Sequence, residues 1–171
     1  LSGLDIGYGG SSSGLIRLNA ASIAIEDSYV HHSESNGLWA SASSFPLIQD
    51  STFSENYESG IDIHSSGLES TYTNNLGVLE PSFQGNWLMD NLDYGIELPP
   101  QYVGQLDSNT VIMNNDGIYI DGWSAAQVQS SATWRAFDDP YVVGTDIQIE
   151  GAAGPVVTIE DGAQFEFEAN I

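Results

Sequence analysis

The chain has 171 residues, with 24 acidic side chains, two basic ones (Arg17 and Arg135) and a formal charge of −22. That balance excludes nucleic acid as a partner and argues against binding to anionic membranes, because both need cationic side chains. Cysteine is absent, which excludes disulfides and thiolate metal sites. Apolar residues make up 41% and are spread along the whole chain, so a disordered polyanion is excluded too.

In chain order, the first feature is a recurring glycine followed by alternating apolar residues. It appears at Gly14-Leu15-Ile16, Gly37-Leu38-Trp39, Gly60-Ile61-Asp62-Ile63, Gly77-Val78-Leu79, Gly95-Ile96-Glu97-Leu98 and Gly117-Ile118-Tyr119-Ile120. Spacings of about 17–23 residues are those of stacked coils in a β-solenoid. A glycine before each strand suits a turn with positive φ. Between these anchors lies a second strand with period-2 alternation, as in Ile23-Ala24-Ile25, Ser51-Thr52-Phe53, Asn86-Trp87-Leu88-Met89 and Thr110-Val111-Ile112. The clearest coil runs from Leu47 to Ile63.

Asn56, Asn91, Asn114 and Asn115 fall between that strand and the next glycine. Stacked asparagines there can hydrogen-bond from coil to coil and satisfy backbone groups inside a corner. The Gly/Ser-rich stretches 7–14 and 41–44 read as projecting loops, and Pro99-Pro100 as a wider turn. No segment shows a helical period or an apolar run long enough to cross a membrane.

After Ser124 the rhythm changes. Asp146-Ile147-Gln148-Ile149, Val156-Val157-Thr158-Ile159 and Phe165-Glu166-Phe167 are three cleanly alternating strands separated by short turns. They read as two more coils. The expectation is one all-β domain over residues 1–171 with about eight coils. It divides into anchored coils at 1–123 and terminal coils at 124–171.

These patterns resemble the right-handed parallel β-helix, or pectate-lyase-like, superfamily. The block from Trp134 through Pro140-Tyr141-Val142-Val143 and Val157-Thr158-Ile159-Glu160 to Phe167 is similar to repeat units of large bacterial surface proteins. The resemblance implies that the last coil feeds into a segment like Leu4-Asp5-Ile6-Gly7-Tyr8-Gly9-Gly10. A β-helix end exposes unpaired backbone and an apolar cross-section, which must be covered. Leu1, Leu4 and Ile6 stand near one end, and Phe165, Phe167 and Ile171 near the other. The chain begins at Leu1 rather than Met, and is read as processed or cut from a longer one.

The candidate chemistry is sparse. Paired carboxylates could serve a glycosidase. However, Asp138-Asp139 and Glu160-Asp161 are sequence neighbours whose side chains diverge on a strand, and Asp50 with Asp62 is the third candidate. A polyuronate lyase would need cations beside its substrate, but Arg17 and Arg135 are far apart in sequence and a charge of −22 repels a polyanion. Arg135 reads as a local ion pair with Asp138 and Asp139, packed on Trp134. His31-His32 and His64 lack metal-ligand spacing and read as turn histidines, the two rings of the pair diverging. Calcium takes oxygen ligands, which Asp90 with Asp93, or Asn114 and Asp116 with Asp121, could supply. Trp87 and Trp134 sit in apolar patterns and read as core, and Trp123 as exposed.

The reading is a structural, non-enzymatic repeat of an extracellular or cell-surface β-solenoid, a filament or adhesin-like stalk. It would self-associate end to end, with Ca²⁺ as the one candidate cofactor. The alternative is a carbohydrate-active enzyme or glycan-binding module, with glycans as partners.

Overall fold

The computed structural model describes residues 1–64, 68, 71–73, 79–122 and 126–169. The chain winds as a parallel β-solenoid of about six turns with almost no helix. In chain order the strands are β1 (Asp5–Gly9), β2 (Ile16–Asn19), β3 (Ala24–Glu26), β4 (Tyr29–Ser33), β5 (Leu38–Ser41), β6 (Leu47–Gln49), β7 (Thr52–Ser54) and β8 (Ile61–Asp62). An antiparallel pair follows, β9 (Thr71–Thr73) with β10 (Leu79–Pro81). Then come β11 (Phe83–Gln84), β12 (Trp87–Met89), β13 (Ile96–Leu98), a 3-10 helix (Pro100–Gln105), β14 (Val111–Met113) and β15 (Ile118–Ile120). The terminal strands are β16 (Gln127–Val128), β17 (Ala132–Trp134), β18 (Tyr141–Val143), β19 (Gln148–Ile149), β20 (Val157–Ile159) and β21 (Phe165–Phe167).

A full coil contributes one strand to each of three sheets. Sheet I holds β3, β6 and β11, and sheet II holds β1, β4, β7, β12 and β14. Sheet III runs β2-β5-β8-β13-β15-β18-β21 and, among the described residues, is the only sheet spanning the first coil to the last. In the terminal coils the first two sides form separate sheets, β16 with β19 and β17 with β20. The change of rhythm after Ser124 is this change of sheets.

Period-2 alternation places one side chain in two inside, and in-register stacking turns each inside position into a column. Ile25, Ile48 and Phe83 make one column, Val30, Phe53, Leu88 and Ile112 a second, and Leu38, Ile61, Ile96, Ile118 and Tyr141 a third. All are buried. Trp87 belongs to the outer face: its neighbour Leu88 takes the inside position, and the indole is 49% exposed, contrary to the core assignment. Trp134 is buried as expected.

Two differences account for six turns instead of eight. First, β19, β20 and β21 are three sides of a single coil. Second, Leu79 begins β10 of the antiparallel pair, whereas β13 stacks directly on β8. That coil separates stacked residues by 35 positions where its neighbours use 23. Gly77, Trp123 and Ile171 lie outside the described residues. Gly7 and Gly9 belong to β1 rather than to a loop.

The anchor glycines have a different cause from the one expected. Gly117 alone among the described anchors has positive φ, at 90°. At Gly37 a Cβ would sit 2.6 Å from the Gly60 carbonyl oxygen, and at Gly60 it would sit 2.7 Å from that of Gly95. These glycines stack one on another against the asparagines, leaving no room for a side chain.

Candidate functional site

The asparagine ladder is the best-ordered polar feature. The Ser33 backbone N–H donates to Asn56 Oδ1 at 3.0 Å, that of Asn56 to Asn91 Oδ1 at 3.2 Å, and that of Asn91 to Asn114 Oδ1 at 3.1 Å. The side-chain amides of Asn91 and Asn114 donate to the carbonyls of Phe53 and Leu88. Asp139 ends the column by accepting from the Asn114 backbone N–H at 2.6 Å. Asn115 stands beside the ladder and donates to the Leu92 carbonyl. Asn36 does similar work at the next corner, accepting from Ser59 N–H and donating to the Ser13 carbonyl. The sequence reading missed it, although Ser13, Asn36 and Ser59 each precede an anchor glycine.

Beside the ladder, Tyr8, His32, Glu55 and Asp90 occupy equivalent positions just after β-strand pairing, with φ of 63°, 53°, 53° and 55°. This left-handed corner costs a non-glycine residue about 1–2 kcal/mol. It bends the coils of β1, β4, β7 and β12 at the same place and lines an open groove of about 800 Å³. It also overturns the expectation that the two histidine rings diverge. His31 Nδ1 and His32 Nδ1 lie 2.6 Å apart, because His32 leaves the extended conformation. The outer ring nitrogens meet Asp5 and Glu55, each at 2.7 Å. His31 is buried, not a surface turn residue, and Tyr29 stacks on its ring at 4.2 Å.

The outer face of sheet III carries the second feature. Register puts Arg17, Trp39, Asp62, Glu97, Tyr119, Val142 and Glu166 in one column. Asp62 and Glu97 are adjacent and half-buried. Burial above all, then repulsion from Glu97, Asp121 and Glu58, pushes Asp62 up to about 8. Burial also raises Glu97, to about 7, although Ser59 Oγ donates to it and holds it lower. Both carboxyls therefore hold their protons to higher pH than ordinary carboxyls do. Aromatics flank them: Trp39 stacks on His64 at 5.7 Å, and Tyr94 on Tyr119 at 4.7 Å.

The remaining candidates are dispersed. Asp50 shares a corner with Asp27 and Gly85, all with positive φ, and does not belong to the sheet III column that carries Asp62. Glu160 pairs with Arg135 at 3.2 Å, so the arginine's ion pair is one coil away and not with Asp138 or Asp139. Of the calcium candidates, Asp90 lines the groove and Asn114 spends its amide in the ladder. Burial first, then repulsion from Asp116 and Glu58, raises the pKa of Asp93. Asp121 follows β15. Among the described residues no cluster of three or more histidine, aspartate or glutamate side chains could hold a metal ion.

The interface candidates fall at the ends. Leu1 and Leu4 are exposed, Ile6 is half-buried, and Leu1 lies against β3, its amino group donating to the Ala24 carbonyl at 2.6 Å. At the other end, Ile147, Ile149, Val157, Ile159, Phe165 and Phe167 are the inward positions of the last coil. With Trp134 and Val143 they line an apolar cavity of about 360 Å³. Phe167 is 72% exposed and Ile159 is 56% exposed.

Residues 2–78 match the family described as right handed beta helix region. The coils beyond that span continue the same sheet III. The chain is a right-handed parallel β-helix. No curated protein and no solved structure matches it.

Proposed function

We propose that this β-helix is a structural segment of an extracellular or cell-surface solenoid assembly, joined end to end with further copies. The observation that supports the reading is the open C-terminal cross-section. Ile149, Ile159 and Phe167 face solvent there, and full burial of such side chains contributes up to roughly 1.5–3 kcal/mol each. The strands of that last coil also leave one edge of backbone unpaired, as an uncovered solenoid end does. The acidic surface fits an exposed, saline setting, where salt screens repulsion between copies. Light scattering and negative-stain microscopy across protein concentration at high salt test this. Filaments one chain wide are expected, and monomers at every concentration would overturn it.

A second reading, a carbohydrate-active or glycan-binding module, is favoured by one observation: Asp62 and Glu97 sit in register between Trp39 and Tyr119. One protonated and one ionised carboxyl are what acid–base cleavage of a glycoside uses. A net charge of −22 restricts this to neutral glycans. Reducing-end release from neutral polysaccharides, lost in both Asp62→Asn and Glu97→Gln, would move the assignment to this reading.

A further inference from the structure

We propose that the open C-terminal end receives the N-terminal end of a second copy in one fixed register. In that register β21 pairs in parallel with β2, Phe165 lies beside Ile16, Glu166 beside Arg17 and Phe167 beside Leu18. The proposal rests on the reading that ends are joined, and it names how.

Sheet III supplies the geometry. Among the described residues it is the only sheet that reaches both ends, and its terminal strands β2 and β21 each have a neighbour on one side only. Ile16 heads the inward column that runs through Leu38, Ile61, Ile96, Ile118 and Tyr141 to Phe165. Joining β21 to β2 therefore continues the inward and outward columns of sheet III unchanged. A slip of one residue would drive Arg17 into the apolar interior, so the register is strongly specified.

Charge supplies the second argument. The chain has two cations against 24 acids. Arg135 is paired with Glu160, whereas Arg17 has no ion pair among the described residues. Its guanidinium lies 5.2 Å from the centre of the Trp39 ring and donates only to Ser12 Oγ, at 3.4 Å. It is exposed on the edge strand of one end, and Glu166 is exposed at the same column position on the edge strand of the other. In the proposed register these opposite charges become direct cross-strand neighbours, which is favourable, while like charges there are repulsive. Such head-to-tail contact is heterologous and does not close on itself, so it builds an open filament.

The test uses Arg17→Glu and Glu166→Arg chains, both exposed changes that circular dichroism should show to be folded. Sedimentation velocity of each chain alone should show association weakened by about tenfold or more against the parent. An equimolar mixture of the two variants should associate as the parent does, because each junction then joins an acid to an arginine. Parent and variants associating equally, or a mixture that stays dissociated, would overturn the register while leaving end-to-end joining intact. A parent chain that does not associate at all would overturn both.

Discussion

The ladder coils and the terminal coils close the same cross-section by different means. From β4 to β15 the corners are held by buried side-chain amides, a column of glycines and a repeated left-handed residue. From β16 to β21 the strands alternate more regularly, yet their corners lack an asparagine column among the described residues, and Ile149, Ile159 and Phe167 remain exposed. Polar groups buried in a corner make a coil complete by itself. Apolar groups left on a cross-section make a coil depend on what covers it. The contrast teaches that regular alternation alone does not finish a solenoid.

The comparison can be broken most severely at the ladder. Asn91 is buried and bonded both above and below, so Asn91→Leu strands several backbone and amide groups. Urea unfolding should show a loss of about 3–5 kcal/mol. Gly60→Ala comes next, at about 2–4 kcal/mol, because its Cβ meets the backbone of the next coil. An equal alanine substitution at Gly154 in the terminal coils has open space around it. Its φ of 62° leaves only the backbone strain of about 1–2 kcal/mol.

The acidic column gives a pH signature. Asp62 and Glu97 bind protons more tightly folded than unfolded, so their contribution is full below the unfolded values near 4. It is lost as pH rises through about 7 and about 8. Asp62→Asn should therefore stabilise the protein by about 1–3 kcal/mol at pH 8 and flatten the thermal midpoint between pH 5 and 8, as read by calorimetry against the parent. The smallest effect belongs to Glu160→Gln. Its ion pair with Arg135 is partly solvated on both sides, and its removal should cost about 0.5 kcal/mol or less.

The architecture was legible because burial enforces alternation and stacking enforces a fixed coil length. Asn56, Asn91 and Asn114 were readable as a ladder for the same reason: a corner repeats at the period of the coil. What was not legible depends on distances between coils. Asp62 and Glu97 are 35 positions apart in sequence, and only knowing that β13 stacks on β8 makes them neighbours. The antiparallel excursion between those strands broke the period and hid the pairing. His31 and His32 were misread because the left-handed corner at His32 has no signature in a dipeptide. The anchor glycines were found for the wrong reason, since close approach and positive φ select the same residue.

Hydrogen exchange measured across protein concentration at high salt tests the central claim most directly. If the ends are joined, amides of β2 and β21 become protected as concentration rises, while those of β7 and β12, already paired on both sides, do not change. Equal exchange of β2 and β21 at every concentration would contradict the account.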